Sequence, residues 1–125
     1  MRPELINAGV LAYLGDSVLE VMVREYLVKE SKFVKTNDFQ KEAIKYVSAS
    51  YHAMFMHDML KEGFFDENEI GIYKRGRNTK CGKNESLEHM HSTGFEAIIG
   101  TLYLQKDYER LKEIFDRYKK YLVNK

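Results

Sequence analysis

The sequence predicts an all-α fold, and three observations lead there. One proline and eight glycines in 125 residues are too few for a turn-rich β architecture. The chain is rich in Lys, Glu, Leu and Tyr, residues that a helical protein tolerates well. Its apolar residues recur at steps of three and four along most of the chain, the period of an amphipathic helix. A length of 125 residues suits a single domain, 1–125, that buries roughly two thirds of its unfolded surface without disulfides or metal staples. Cys81 is the only cysteine, which excludes an intramolecular disulfide and a cysteine zinc cluster and suits a reducing compartment. No apolar run reaches transmembrane length, and the N-terminal MRPELIN has no signal-peptide core, so the expectation is a soluble, cytoplasmic protein without membrane contact.

Pro3 is compatible with a helix start, and a first long helix is expected from there to about Val28. Leu11, Leu14, Val18, Val21 and Met22 form its apolar stripe, and the stripe crosses Gly15 without changing phase. Thr36 or Asn37 can cap a second helix, with Phe39, Ala43, Tyr46 and Val47 inward. After a break near Ser48 to Ser50, Tyr51, Met54, Phe55, Met59 and Leu60 continue a helical pattern to a stop at Gly63. His52 and His57 read as helix surface or core edge. Asp66 with Glu69 opens a short helix that ends near Arg75, and Gly76 to Glu85 reads as a polar, basic loop. Ser86 with His89 begins a second long helix carrying Phe95, Ile98, Ile99 and Leu102 inward. Lys106 to Tyr121 is a last amphipathic helix, with Tyr108, Leu111, Ile114, Phe115, Tyr118 and Leu122 inward.

The net charge of +1 conceals a segregation. Lys74, Arg75, Arg77, Lys80 and Lys83 lie within ten residues that contain no acid; setting them aside leaves 15 basic against 19 acidic residues. A basic segment on an otherwise acidic chain points to an anionic partner met at one place.

Two carboxylates stand out against their surroundings. Asp16 interrupts the apolar segment LAYLGDSVLE, and Glu96 stands in STGFEAIIGTLYL, with Ser92, Thr93 and Gly100 one turn away. Each acid also has an ordinary explanation. Ser17 and Glu20 fit a capping box, Asp16, Glu20 and Arg24 fit a solvated face with an ion pair, and Glu96 fits a boundary position beside small packing residues. The pair is the more informative feature, because an unpaired charge in an apolar helix is expensive. If the two helices pack together, the carboxylates meet, and close carboxylates either share a proton or bind a cation. Magnesium suits such a site, since it commonly takes one or two protein carboxylates and keeps several waters. With the basic loop beside it, the natural substrate is a phosphodiester. His89 and His91 diverge on a helix and read as surface or boundary residues; Cys81 is given no role.

LAYLGDSVLE resembles the signature helix of the ribonuclease III family, and STGFEAIIGTLYL resembles that family's second metal-binding helix. KRGRNTK, with YVSA at Tyr46 to Ala49, resembles the Mini-ribonuclease III branch, the nuclease domain without a double-stranded RNA-binding domain. The resemblance covers nearly the whole chain. It implies a helical fold of about six to seven helices and a homodimer that hydrolyses double-stranded RNA with magnesium, manganese being a substitute. It further implies 5′-phosphate and 3′-hydroxyl ends and a role in trimming the large-subunit ribosomal RNA precursor. Asp16 and Glu96 match the family's metal ligands and catalytic acids, and Glu20 is a further candidate acting through water. Lys74, Arg75, Arg77, Asn78, Lys80 and Lys83 would hold the RNA.

Departures from the pattern accompany the matches. Full-length ribonuclease III carries acids where this chain has Ala12 and Thr93, which leaves a leaner site completed by water, Glu20 or substrate oxygens. The loop between Lys80 and Leu87 is shorter than usual for the branch, and Ser50 stands where a lysine is common. A non-catalytic relative that binds structured RNA is therefore the alternative to a nuclease, and a helical interaction domain is a third reading.

Overall fold

A computed structural model of the chain describes residues 2–79 and 86–125. Lys80, Cys81 and Lys83, part of the expected basic loop, lie outside the described residues. Six α-helices follow a short 3-10 turn: the turn spans Pro3–Leu5, α1 Ala8–Glu30, α2 Thr36–Val47, α3 Ala49–Glu62, α4 Glu67–Arg77, α5 Leu87–Leu104 and α6 Tyr108–Val123. Among the described residues there is no strand, and no helix is long and apolar enough to cross a membrane.

The centre of the fold is α5. From Phe95 to Leu102 only Glu96 is not fully buried, the pattern of a helix enclosed on all sides. Its most extensive contact is with α1, and α4, α3 and α6 cover its other faces. The aromatic centre of the core gathers Phe55 from α3, Phe95 from α5 and Tyr118 from α6, with ring centroids 4.9 to 5.6 Å apart.

Helix boundaries follow local chemistry. Asn7 caps α1 by accepting from the Gly9 N–H at 2.7 Å, so α1 starts at Ala8 and Pro3 opens only the 3-10 turn. The helix runs without a break through Gly15 and Ser17, so neither residue ends or begins a segment. Neither Thr36 nor Asn37 caps α2: Lys35 holds the cap position without a side-chain bond. Ser48 separates α2 from α3 and caps α3 through the Tyr51 N–H. Gly63, at φ +73°, ends α3 in a conformation that costs glycine little. Asp66 and Glu69 form the expected reciprocal capping box, while Arg110 grips Glu69 with two 2.8 Å bonds and the Phe64 carbonyl at 2.9 Å. Glu69 is thereby buried as a paired charge, the form in which a buried carboxylate is tolerated.

Three expectations are corrected. The buried row of α1 is Ala8, Leu11, Ala12, Gly15, Leu19, Val23 and Leu27, whereas Val21 is 66% exposed. Helix α1 is apolar on more than one side, so hydropathy period alone did not select the packed row; the row that carries Gly15 faces α5, where the two backbones meet. Met54 and Tyr108 face outward, and His52 takes a fully buried place on α3. Gly76 belongs to α4 rather than to a loop, and a Cβ there would stand 2.8 Å from the Gly94 Cα.

Candidate active site

The site begins with a contact between two backbones. Gly15 of α1 lies against the Glu96 carbonyl of α5, and Gly100 lies against the Leu11 carbonyl, where an added Cβ would stand 2.0 Å from that oxygen. Two glycines facing each other's helices let α1 and α5 cross at backbone contact, closer than any side chain would permit. Asp16 and Glu96, adjacent to or opposite these glycines, are carried into the same cleft.

That cleft measures about 370 Å³ and is lined by Ala12, Tyr13, Asp16, His89, Ser92 and Glu96 among others, with Val47 and Ala49 contributed by the α2–α3 junction. Glu96 and Asp16 line this cleft together. Burial, then the neighbouring Asp16, push the Glu96 carboxyl up to about 9. At neutral pH Glu96 therefore keeps its proton. Two acids pressed together without a cation between them store an unfavourable interaction that a cation relieves.

Among the described residues no group of three or more His, Cys, Asp or Glu converges as a metal cage. The donor set present fits an ion that accepts two carboxylates and fills its remaining positions with water, which describes magnesium better than zinc. Glu20 is not brought to this cleft: it is half-buried and pairs with Arg24 at 3.4 Å.

The basic residues collect at the C-terminal end of α4. Lys74 and Arg75 are exposed, Arg77 lies over the Tyr73 ring at 5.4 Å and reaches the Asn78 side chain at 3.4 Å, and Arg75 donates to the Glu4 carbonyl at 3.4 Å. Thr79 touches Gly9, which itself lines the acid cleft, so this end of α4 borders the carboxylate pair. Lys80 and Lys83 lie outside the described residues. Tyr73, beneath Arg77, stacks with His91 and shares a hydrogen bond with it.

Two participants escaped the sequence reading. His52 is fully buried and holds Ser92, and His89 stands at the cleft rim with Nδ1 2.7 Å from the Ser86 hydroxyl. Only a spacing could have hinted at Ser92: it precedes Glu96 by four residues and so shares its helix face. For His52 the sequence offers no signal, because its partners come from α2 and α5.

A helical fold with paired carboxylates at a glycine-mediated crossing defines the class, and the model of the Ribonuclease III domain matches residues 9–107. Mini-ribonuclease 3 of Clostridium tetani is 41% identical over 113 residues, covering 87% of this chain and 74% of that protein. Mini-ribonuclease 3 of Symbiobacterium thermophilum is 42% identical over 117 residues, covering 90% and 88%. The crystal structure of a Fusobacterium nucleatum protein superposes with a TM-score of 0.80 at 28% identity, covering 93% of each chain. The chain belongs to the ribonuclease III family of endoribonucleases, in its Mini-ribonuclease 3 branch.

Proposed function

We propose that residues 1–125 act as one catalytic domain that cleaves double-stranded RNA with magnesium. The observation that carries this reading is the Asp16–Glu96 pair, two acids brought to one cleft where burial and the neighbouring Asp16 push the Glu96 carboxyl up to about 9. Asp16 and Glu96 would hold the ion, with manganese able to substitute, and Glu20, one turn along α1, would reach its hydration shell through water. A divalent cation there supplies an activated water and offsets the charge that develops on the phosphate. The chain's own residues orient the substrate. Lys74, Arg75, Arg77 and Asn78, with Lys80 and Lys83 beyond them, hold backbone phosphates, a contact indifferent to sequence and sensitive to salt. An A-form duplex suits a protein that reads regular phosphate spacing.

The working form is a homodimer. A groove of about 1010 Å³ runs between α1 and α6, floored by Leu14, Val18, Met22, Tyr26 and Phe115. Both signs of charge line it: Glu25, Glu30 and Asp116 against Lys29, Lys112 and Lys119. A second copy complements an apolar groove edged in this way. Since Ser17 and Val18 face the groove and Asp16 the cleft, two copies joined there place their clefts near one another, one for each RNA strand. The biological substrate is the large-subunit ribosomal RNA precursor in the cytoplasm.

The test is incubation of a long RNA duplex with purified protein in magnesium and in EDTA, followed by mapping of the ends. Cuts only with magnesium, leaving 5′-phosphate and 3′-hydroxyl termini, are expected. A duplex that is bound and stays intact would instead support an RNA-binding protein without catalysis.

A further inference from the structure

His52 makes two hydrogen bonds that together determine its neighbour's polarity. Its Nε2 lies 2.9 Å from the Tyr46 carbonyl, which also accepts from the Tyr118 hydroxyl at 2.9 Å. A carbonyl cannot donate, so Nε2 carries the hydrogen. Burial holds the ring pKa at about 4, so the imidazole is neutral at working pH and its Nδ1 is an acceptor. Ser92 Oγ, 2.7 Å from Nδ1, must therefore be the donor. The ring cannot turn to change this, because it is fully buried between Phe95 at 4.9 Å and Tyr118 at 5.7 Å.

The single proton of Ser92 thus points away from the cleft that Ser92 lines, and only oxygen lone pairs remain for that cleft. Thr93, the neighbouring hydroxyl, is arranged alike: its Oγ1 donates to the His89 carbonyl at 2.8 Å. The two hydroxyls that α5 gives the cleft therefore act as acceptors beside Asp16 and Glu96. The α5 wall of the cleft thus offers acceptors, which attract a group rich in donors. The water shell of a divalent cation has that chemistry.

We propose that Ser92, held in this orientation by His52, accepts a hydrogen bond from water on the metal ion between Asp16 and Glu96. It is a positioning residue of the hydration shell. The inference rests on the metal reading above and adds two residues to it. It also explains how a site with only two acids holds its ion in one orientation: serine oxygen and ordered water extend the shell.

The test measures manganese binding to RNA-free protein by the loss of the free-ion paramagnetic resonance signal, for wild type and four variants. Asp16→Asn serves as the control. Ser92→Ala is expected to weaken binding about tenfold, the size of effect seen when a partner of a bound ligand is removed. His52→Gln keeps a donor for the Tyr46 carbonyl and loses the acceptor for Ser92; it should match Ser92→Ala. His52→Asn places an amide oxygen where Nδ1 stood and should restore most of the affinity. Melting curves verify that each variant is folded, and Ser92→Ala, the mildest change, decides the matter if a histidine variant is not. Wild-type affinity in Ser92→Ala overturns the proposal. Equal losses in both histidine variants overturn the positioning role of His52. Should Asp16→Asn also bind as wild type, the metal reading itself fails, an outcome distinct from failure of the Ser92 arm alone.

Discussion

A Cβ added to Gly15 would stand 1.8 Å from the main-chain oxygen of Glu96. The residue that permits the closest helix approach thus immediately precedes the acid on α1, and it rests on the acid of α5. Packing and the candidate chemistry share one contact.

Gly15→Ala should therefore disrupt both. The added methyl meets backbone rather than a movable side chain, so α1 and α5 must separate, at a cost of about 3 kcal/mol. Urea unfolding measures that cost. Cleavage should fall further than stability alone requires, because the Asp16–Glu96 spacing changes with the helix separation.

The pH dependence of the metal-free protein follows from Glu96. In the unfolded chain its carboxyl ionises near its ordinary value of 4.5, and in the fold burial and Asp16 push it up to about 9. Between those values the folded state binds more protons, so stability falls as pH rises. His52 acts in the opposite sense: burial lowers it from 6.5 to about 4, so its contribution is complete above 6.5 and is lost as pH falls toward 4. Above neutrality, of these two, only the Glu96 contribution still changes with pH. In EDTA, Tm should drop by roughly 5 °C from about pH 7 to pH 9. Glu96→Gln, neutral throughout, should remove most of that slope, and a divalent cation should also flatten it.

Duplex binding should respond to α4. Lys74→Glu and Arg77→Glu are each expected to weaken affinity for every duplex sequence and to reduce the salt slope by roughly one. Filter binding at several salt concentrations checks this, and an unchanged slope would remove those residues from the RNA contact. Their effect on cleavage should appear in KM, since neither lines the acid cleft.

The groove makes a separate prediction. Val18→Glu with Met22→Glu places two charges on its apolar floor and should raise the dimer dissociation constant roughly 100-fold or more. Sedimentation would show a monomer at concentrations where the wild type is a dimer. Unchanged sedimentation would mean that the groove is not the interface.

How much of this was legible depends on which property carried the information. Helix α6 was read almost correctly because its inward residues, Leu111, Ile114, Phe115, Tyr118 and Leu122, contrast with charged neighbours. The caps at Gly63, Asp66 and Ser86 were legible because capping is local. On α1 the contrast is missing: Leu14, Val18, Val21 and Met22 are as apolar as the packed row, and they turned out to line the groove. Asp16 and Glu96 were recognisable as acids in apolar helices. That they meet required the facing glycines, Gly15 and Gly100, whose importance lies in absent side chains. His52 was misread because a histidine looks polar until its partners from α2 and α5 are in place. Gly76 looked like a loop residue, but it packs against Gly94 inside a helix contact.

The most direct measurement is the single-turnover rate of duplex cleavage with magnesium for wild type, Asp16→Asn and Glu96→Gln. If the carboxylate pair holds the ion, each substitution should slow cleavage about 100-fold or more while duplex affinity stays within a few fold. Cleavage at the wild-type rate by either folded variant would contradict the assignment of the site to this pair.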